Sequence, residues 1–269
     1  MQKIGLVLEG GGVKGAYQVG ALRAIEEYGI HFDGVVGTSI GAVNGALYLE
    51  GGYQKLYEMW KTIDTDTIFA IDKKYWNNIR EKAIDLDTLI YIGKCAISVR
   101  EILRNTHAQC SEFLSKHVSE EDLRNSPLDY GCVAYDISNR KPFEAMKEDI
   151  PKGELVDYII ASATFPGLPA KVIDKKKYID GGVWDNMPVN LIAKKGYKKV
   201  LVIRTNLEEK HPQRKFEFGD DVEVRYIIPR VYLGKAMAFS HDRVISFMAK
   251  GYGDAIVELD NGLAEFLKG

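Results

Sequence analysis

The chain has 269 residues, of which 46% are apolar and 28% are charged, and its formal net charge is −2 at pH 7. This composition is ordinary for a soluble globular protein. A net charge so close to zero argues against nucleic acid as a partner, because binding to a polyanion needs an excess of positive charge. No apolar run approaches the roughly 20 residues that a membrane-spanning helix requires.

The first four predicted elements alternate between strand and helix. Residues 4–8 form a short apolar run that ends at glycine, which is typical of a buried strand. Apolar residues then recur at helical spacing over 16–28, and Gly29 follows as a usual helix stop. Val35 and Val36 indicate a second buried strand, with a second helix over 42–50. This order predicts parallel strands joined by a right-handed crossover.

The middle of the chain, from about 53 to 124, has a mostly helical pattern rich in charge and predicts a helical insertion. Its scattered aromatic residues either pack helices together or form a lipid-facing lid; they are Trp60, Tyr75, Trp76 and Tyr91. Beyond it we predict strands at 130–136, 172–173, 177–179, 200–205 and 224–228, then helices near 242–250 and 254–268. With no repeat or linker in view, we expect one α/β domain over residues 1–269.

Cysteine usage and the N-terminus bear on the cellular compartment. Cys95, Cys110 and Cys132 show no CxxC spacing, so we expect neither a metal site nor a disulfide framework and infer a reducing compartment. The apolar run of residues 4–8 is too short for a signal peptide. We therefore expect a cytoplasmic protein, which is compatible with peripheral contact at a membrane.

The glycine-rich stretch EGGGVKG, residues 9–15, allows a close approach of backbone to a negative group. A Walker loop is excluded, because Lys14 precedes the last glycine and no hydroxyl residue follows it. A dinucleotide fingerprint is met by Gly10, Gly12 and Gly15, but the acidic candidate Asp33 comes before the second strand rather than after it. Dinucleotide binding therefore stays an alternative, in which the acidic residue of the fingerprint is at the wrong end of the strand.

The second strand leads into GTSIG, residues 37–41, a G-x-S-x-G pattern in strand-turn-helix context. Such a turn exposes the hydroxyl of its serine, here Ser39, between Gly37 and Gly41. Adjacent parallel strands end at the same edge of a sheet, which brings this turn to the glycine-rich stretch. The backbone amides there can then face the oxyanion that forms when Ser39 attacks an ester.

A serine nucleophile needs a base, and two kinds of base are available. Asp180 ends a predicted strand and is followed by two glycines that allow a sharp turn, although Asp-Gly is also a common β-turn dipeptide. Among the five histidines none sits in a motif, but His211 and His241 follow in the chain order of a Ser-Asp-His triad. We favour Asp180 and keep the triad as the alternative.

Four stretches in this order resemble the patatin-like phospholipase family: EGGGVKG, GTSIG, ASATFPGLP (161–169) and DGGVWDNMP (180–188). The resemblance spans residues 4 to about 205, and GYGDA at 251–255 is also similar. It implies a three-layer α/β fold whose mainly parallel sheet is flanked by helices. It also implies a lipid acyl hydrolase with a Ser-Asp dyad. Carried over by position, Ser39 is the nucleophile and Asp180 the dyad acid, the oxyanion loop is Gly10, Gly11 and Gly12, and Lys14 is its basic residue.

The resemblance implies a lipid or phospholipid ester as substrate and no metal or organic cofactor. Lys14 would then lie near a lipid phosphate or form a surface salt bridge. The stretch 165–169 departs from the family pattern near Leu168, where an aromatic residue is common, and this affects the shape of the pocket. Two alternatives are acyl transfer to an alcohol other than water and an inactive lipid-binding scaffold.

Overall fold

The centre of the computed structural model is a mixed β-sheet. The structure describes residues 2–63, 68, 99–207 and 215–269. The strands of these ranges are β1 (Ile4–Leu8), β2 (Gly34–Thr38), β3 (Asp129–Asp136), β4 (Lys141–Met146), β5 (Lys171–Ile173), β6 (Lys176–Asp180), β7 (Lys199–Ile203) and β8 (Glu223–Ile227).

The sheet has a parallel half and an antiparallel half. Strands β3-β2-β1-β7-β8 run parallel in this spatial order, whereas β4 and β6 pair antiparallel with β3 and β5 pairs antiparallel with β6. Leu8 at the end of β1 pairs with Gly37 near the end of β2. The predicted meeting of the two glycine-rich turns at one edge is therefore confirmed.

Helices cover both faces of the sheet. They are α1 (Gly15–Glu27), α2 (Ile40–Trp60), α3 (Val99–His117), α4 (Glu120–Asn125), α5 (Leu155–Ser162), α6 (Val189–Lys194), α7 (His241–Glu258) and α8 (Ala264–Lys268). Within the described ranges no helix combines the length and the apolar character that crossing a membrane requires.

The alternation of side chains along the strands separates two buried cores. In β1, Leu6 and Leu8 contribute to a large core that includes residues of α1, α2, α5 and α7. Val7 faces the other way, into a smaller core with Val189 and Ile192 of α6. Because successive strand residues point to opposite faces, the sheet is the middle of three layers, as the resemblance implied.

Several elements differ from the expectations. Strand β4 and helices α5 and α6 were not predicted. The predicted boundary between the two closing helices, near 242–250 and 254–268, is wrong. Helix α7 continues through Gly251 and Gly253, and the break comes at Gly262, whose φ is 98°. Trp60 is buried and its indole Nε1 donates to Asn44 Oδ1 at 2.8 Å, so it packs α2 and does not form a lid. Tyr75, Trp76 and Tyr91 lie outside the described residues.

Helices α1 and α7 touch backbone to backbone at two glycines. A Cβ added at Gly20 of α1 would lie 1.8 Å from the carbonyl oxygen of Met248, and one added at Gly251 of α7 would lie 1.9 Å from that of Tyr17. Real Cβ atoms do not approach so closely, so both positions require glycine. The segment GYGDA thus has a packing role: it holds α1, which follows the glycine-rich loop.

We predict that Gly251→Ala lowers the free energy of unfolding by about 1–3 kcal/mol, because the added methyl group must push the two helices apart. Gly253→Ala is the matched control: it lies two residues on in α7, and its Cβ would meet nothing within 4 Å. That control should gain up to about 1 kcal/mol from helix propensity alone. Urea denaturation of both variants makes the comparison, and equal effects at the two positions would contradict it.

Candidate active site

Ser39 occupies a strained turn between β2 and α2. Its φ of 57° and ψ of −129° lie in a region that side-chain-bearing residues rarely adopt. The flanking glycines allow it, since a Cβ at Gly37 would lie 2.3 Å from the carbonyl group of Gly41, and a Cβ at Gly41 would lie 2.1 Å from the carbonyl oxygen of Leu8. The geometry is that of a nucleophile elbow, with the serine at its tip.

Strand pairing brings Asp180 to this turn. Thr38 pairs with Val133 across β2 and β3, and the next residue of β3, Ala134, pairs with Asp180 at the end of β6. The hydroxyl of Ser39 donates to Asp180 Oδ2 at 2.6 Å. The amide of Gly182 donates to the other carboxylate oxygen at 2.7 Å. Both oxygens are therefore held, and one of them contacts the serine directly.

Burial changes the acidity of this carboxyl group. Asp180 is buried, and the loss of solvation raises its pKa to about 6, although the hydrogen bonds from Ser39 and Gly182 act in the opposite direction. A carboxylate is a weak base when its pKa is near its usual value of about 4. The raised pKa brings it closer to neutral pH, where a general base is most effective.

The amide of Ser39 is also engaged. It donates to the hydroxyl of Ser162 at 2.9 Å. Ser162 belongs to the stretch ASATFPGLP and lies at the end of α5. In the same stretch, the carbonyl of Thr164 accepts from the amide of Asp180 at 2.8 Å. This motif therefore fixes the backbones of the serine and the aspartate, a role that its composition did not reveal.

The glycine loop lies beside Ser39. A Cβ at Gly10 would lie 3.0 Å from Cβ of Ser39, and the amide of Gly10 donates to the carbonyl of Asn186 at 3.1 Å. Gly12 has a φ of 58°. Within the described part of the chain, the amides of Gly11 and Gly12 make no hydrogen bond. Of the three expected oxyanion donors, Gly11 and Gly12 have free amides, whereas the amide of Gly10 is already hydrogen-bonded.

A buried carboxylate anchors this loop. Glu9 Oε2 accepts from the amide of Thr205 at 2.6 Å and lies 3.6 Å from Nε of Arg204. The ammonium group of Lys14 donates to the side-chain oxygen of Asn206. Lys14 is only 6% exposed, and burial lowers its pKa although the charge of Glu9 raises it. The expectation of a surface salt bridge for Lys14 is therefore wrong, because the side chain lies inside, at the wall of the cavity described next.

A cavity of about 420 Å³ contains Ser39, Asp180 and the glycine loop in its wall. Most of its other lining residues are apolar. They come from α2 and the segment after it, from α3 and α5, and from the segment before α7: Val43, Met59, Ile63, Phe113, Leu114, Ile160, Met237 and Phe239. Phe165 and Val183 also line it and are 44% and 46% exposed, so the cavity reaches the surface beside them. Helix α3, within the predicted insertion, forms a wall of this cavity.

Two alternative assignments gain no support from the structure. Among the described histidines none is hydrogen-bonded to Ser39; His241 is exposed at the start of α7, and His211 lies outside the described residues. Asp33 is at the amino end of the strands, where its Oδ2 accepts from the amide of Ile4 at 2.7 Å. It cannot reach a ribose at the opposite edge, so the dinucleotide fingerprint is incomplete.

Potential metal ligands are dispersed in the part of the chain that the structure describes. Within the described ranges no three His, Cys, Asp or Glu side chains lie together as metal ligands. Cys110 and Cys132 are free thiols, and Cys95 is outside those ranges.

Two further polar residues lie at the site. His107 and Ser111 line the cavity, although no motif in the sequence marks them. Their spacing of four on a helix that also carries Phe113 and Leu114 was the available signal.

Comparison with known proteins identifies the family of this chain. The model of the patatin-like phospholipase domain matches residues 6–193. The chain belongs to the patatin-like phospholipase family. Among solved structures, VipD from Legionella pneumophila aligns with 97% of this chain and 67% of its own, at 15% identity and a TM-score of 0.56. That likeness concerns the fold.

Curated relatives include fungal lysophospholipases. The chain is 27% identical over 226 residues to lysophospholipase nte1 of Aspergillus terreus, and the alignment covers 82% of this chain and 13% of the relative. It is 28% identical over 229 residues to lysophospholipase NTE1 of Saccharomyces cerevisiae, covering 84% of this chain and 12% of the relative. The chain thus spans a small part of the length of these relatives.

Proposed function

We propose that this protein is a serine lipid acyl hydrolase that uses Ser39 and Asp180 as a dyad. The observation that carries the proposal is the 2.6 Å hydrogen bond from the Ser39 hydroxyl to a buried carboxylate, in the wall of an apolar cavity. Family membership and the names of the fungal relatives support an ester of a lipid as substrate.

The geometry supports a two-stage mechanism. Asp180 accepts the proton of Ser39 as the serine oxygen attacks the ester carbonyl. The amides of Gly11 and Gly12 donate to the oxyanion, and Gly10 contributes by having no side chain between the loop and Ser39. The alcohol leaves with the proton from Asp180 and an acyl-serine remains. Asp180 then deprotonates a water molecule, which attacks the acyl-serine and releases a fatty acid while Ser39 recovers its proton.

The cavity suits the substrate class of this proposal. Its apolar walls can hold an acyl chain, and the glycine loop and dyad lie in the same wall. Phe165 and Val183 expose apolar surface where the cavity reaches solvent. These two side chains support peripheral contact with a lipid surface, from which an acyl chain could enter without crossing water.

The proposal is tested by covalent trapping. A fluorophosphonate reacts with activated serines, and mass spectrometry of the treated protein should find the adduct on Ser39. The same protein should release fatty acid from a lysophospholipid, and Ser39→Ala should lose both the adduct and the release. A folded protein that is labelled on another serine, or on none, would overturn the proposal. Product analysis with an added alcohol separates hydrolysis from acyl transfer.

We predict that activity is lost in acid. Asp180 works as a carboxylate, and burial raises its pKa to about 6. Below that pH the group is protonated, so kcat/KM should fall about tenfold for each further unit of pH. The measurement is a pH profile of kcat/KM on a soluble ester, with circular dichroism at each pH to show that the fold persists. A profile that is flat down to pH 5 would exclude this carboxyl group as the base.

A further inference from the structure

The cavity wall formed by α3 carries two polar side chains that differ from the rest. His107 and Ser111 are four residues apart, and both line the cavity that contains Ser39. Residues at this spacing lie on the same face of a helix. Nε2 of His107 and Oγ of Ser111 are buried, and within the described structure neither has a hydrogen-bond partner. Buried polar atoms without partners are rare in native proteins and call for an explanation.

Other polar side chains of this cavity are satisfied within the protein. Cys110, between the two residues in sequence, has its Sγ 3.0 Å from the carbonyl oxygen of Ile68. Lys14 donates to Asn206, and the amide group of Asn186 lies 3.2 Å from the carbonyl oxygen of Gly10. Apart from the free amides of Gly11 and Gly12 beside Ser39, the unpartnered atoms of His107 and Ser111 therefore differ from the other described polar groups of this cavity.

The chemistry of the pair points to an uncharged ligand group. Burial lowers the pKa of His107, and the positive charge of Lys171 adds to this effect, so the imidazole is neutral at neutral pH. A neutral imidazole has one donor and one acceptor nitrogen, and a serine hydroxyl can both donate and accept. These groups match a hydroxyl, which also donates and accepts. They give no positive charge for a phosphate.

We propose that His107 and Ser111 bind a hydroxyl group of the substrate and make the enzyme selective for hydroxyl-bearing lipid esters. The inference rests on the proposed acyl hydrolase function of the same cavity. The hydroxyl has two sources, the free glycerol hydroxyl of a lysophospholipid or a hydroxyl on the acyl chain. In both cases, a substrate without it leaves the two buried side chains unpaired, which is the arrangement that gives strong selectivity.

The test compares matched esters. One pair is 1-palmitoyl lysophosphatidylcholine and its 2-deoxy analogue; the other is p-nitrophenyl palmitate and a set of p-nitrophenyl monohydroxypalmitates. The wild-type chain should prefer the hydroxyl-bearing member of one pair by about tenfold or more in kcat/KM, mainly through KM. Ser111→Ala and His107→Phe should each bring that ratio close to one. Ser111→Thr, which keeps the hydroxyl, should retain the preference.

Control variants separate recognition from damage to the fold. Ser115→Ala makes the same chemical change one helical turn further along α3, at an exposed position, and should leave the ratio and the activity unchanged. Fluorophosphonate labelling of Ser39 in each variant shows that the active site is intact. The pair of esters that gives the preference identifies the source of the hydroxyl.

Two negative outcomes are distinguishable. If the wild-type chain labels Ser39 and cleaves both members of each pair equally, the hydroxyl site is overturned and the hydrolase function stands. The hydroxyl site is overturned in the same way if Ser111→Ala lowers kcat/KM by the same factor for both members of the preferred pair. If no ester is cleaved and Ser39 is not labelled, the proposed function fails, and the inference fails with it.

Discussion

Replacing Asp180 by Asn should lower kcat/KM for ester hydrolysis by about 10⁴-fold, the order of loss seen when an aspartate of a catalytic serine site becomes an amide. The replacement keeps the shape of the side chain. Its oxygen can still accept from the amide of Gly182, and its NH₂ can donate to the Ser39 oxygen, so the loss isolates the missing base. Labelling of Ser39 by a fluorophosphonate should disappear in parallel.

The same variant should be at least as stable as the wild-type chain at pH 8. Asp180 has a pKa of about 6 in the fold, against roughly 3.9 in an unfolded chain. The fold therefore binds this proton more tightly, and the resulting stability is present below about pH 4 and is lost as the pH rises to about 6. Above that pH the buried charge opposes folding, and an amide removes this cost, on the order of 1–3 kcal/mol.

Thermal unfolding and the labelling assay, run together at pH 8, check the predicted stability and the predicted loss of Ser39 labelling. Asp185→Asn is a matched control, since Asp185 is a second buried aspartate nearby whose Oδ1 accepts from the amide of Met187 at 3.0 Å. The hydroxyl of Ser39 donates to Asp180, and the Asp185→Asn variant keeps that hydrogen bond, so its Ser39 should still be labelled. Loss of activity in Asp180→Asn accompanied by a fall in stability would point to misfolding and contradict the assignment of a base.

Gly12→Ala should lower kcat by about 10²–10³-fold, the effect of losing an oxyanion donor. Gly12 has a φ of 58°, and its added Cβ would lie 2.4 Å from the carbonyl oxygen of Ala236. The contact is with backbone, so the loop itself must move, and the amides of Gly11 and Gly12 move with it. Single-turnover kinetics on a chromogenic ester would measure the acylation step directly.

Gly29→Ala serves as the matched control for Gly12→Ala. Gly29 has a similar φ of 68°, and a Cβ there would meet nothing within 4 Å. Both variants carry the conformational cost of a left-handed alanine, which is roughly 1–2 kcal/mol, but only one disturbs the loop. Gly29→Ala should keep wild-type kcat. If Gly12→Ala also kept it while losing stability to the same extent, the loop would not be the oxyanion site.

The sequence predicted those parts of the fold whose local pattern agrees with their tertiary environment. Strands β1 and β2 are buried on both faces and bounded by glycine, and both were located. Strand β4 escaped because its residues 141–144 are exposed or half-buried, so KPFEAM carries no strong apolar pattern. Helix α6, VNLIAK, is too short for helical periodicity to show. Pairing with β3 and packing under the sheet determine these two elements.

The candidate site likewise has features that the sequence predicts and features that depend on tertiary packing. Ser39 and Asp180 stand in motifs whose glycines are needed locally, so they could be named from sequence, and the structure places their side chains in contact. That the Gly10 amide is taken by the carbonyl of Asn186 could not be foreseen, since this bond joins residues 176 positions apart. His107 is in the cavity wall because of how α3 packs, which no local pattern encodes.

The proposed catalytic residues belong to the sheet, whereas part of the cavity wall belongs to α3, and this division has a consequence for how such enzymes diversify. The glycine loop and Ser39 follow β1 and β2, and Asp180 is the last residue of β6, so the proposed catalytic groups all belong to the sheet. Helix α3, in contrast, supplies wall residues such as Phe113 and Leu114 from outside the sheet. Exchange of residues 99–117 between relatives would therefore alter the shape of the cavity and leave the proposed catalytic residues in place. In this architecture, substrate preference can evolve without a change in the chemistry of cleavage.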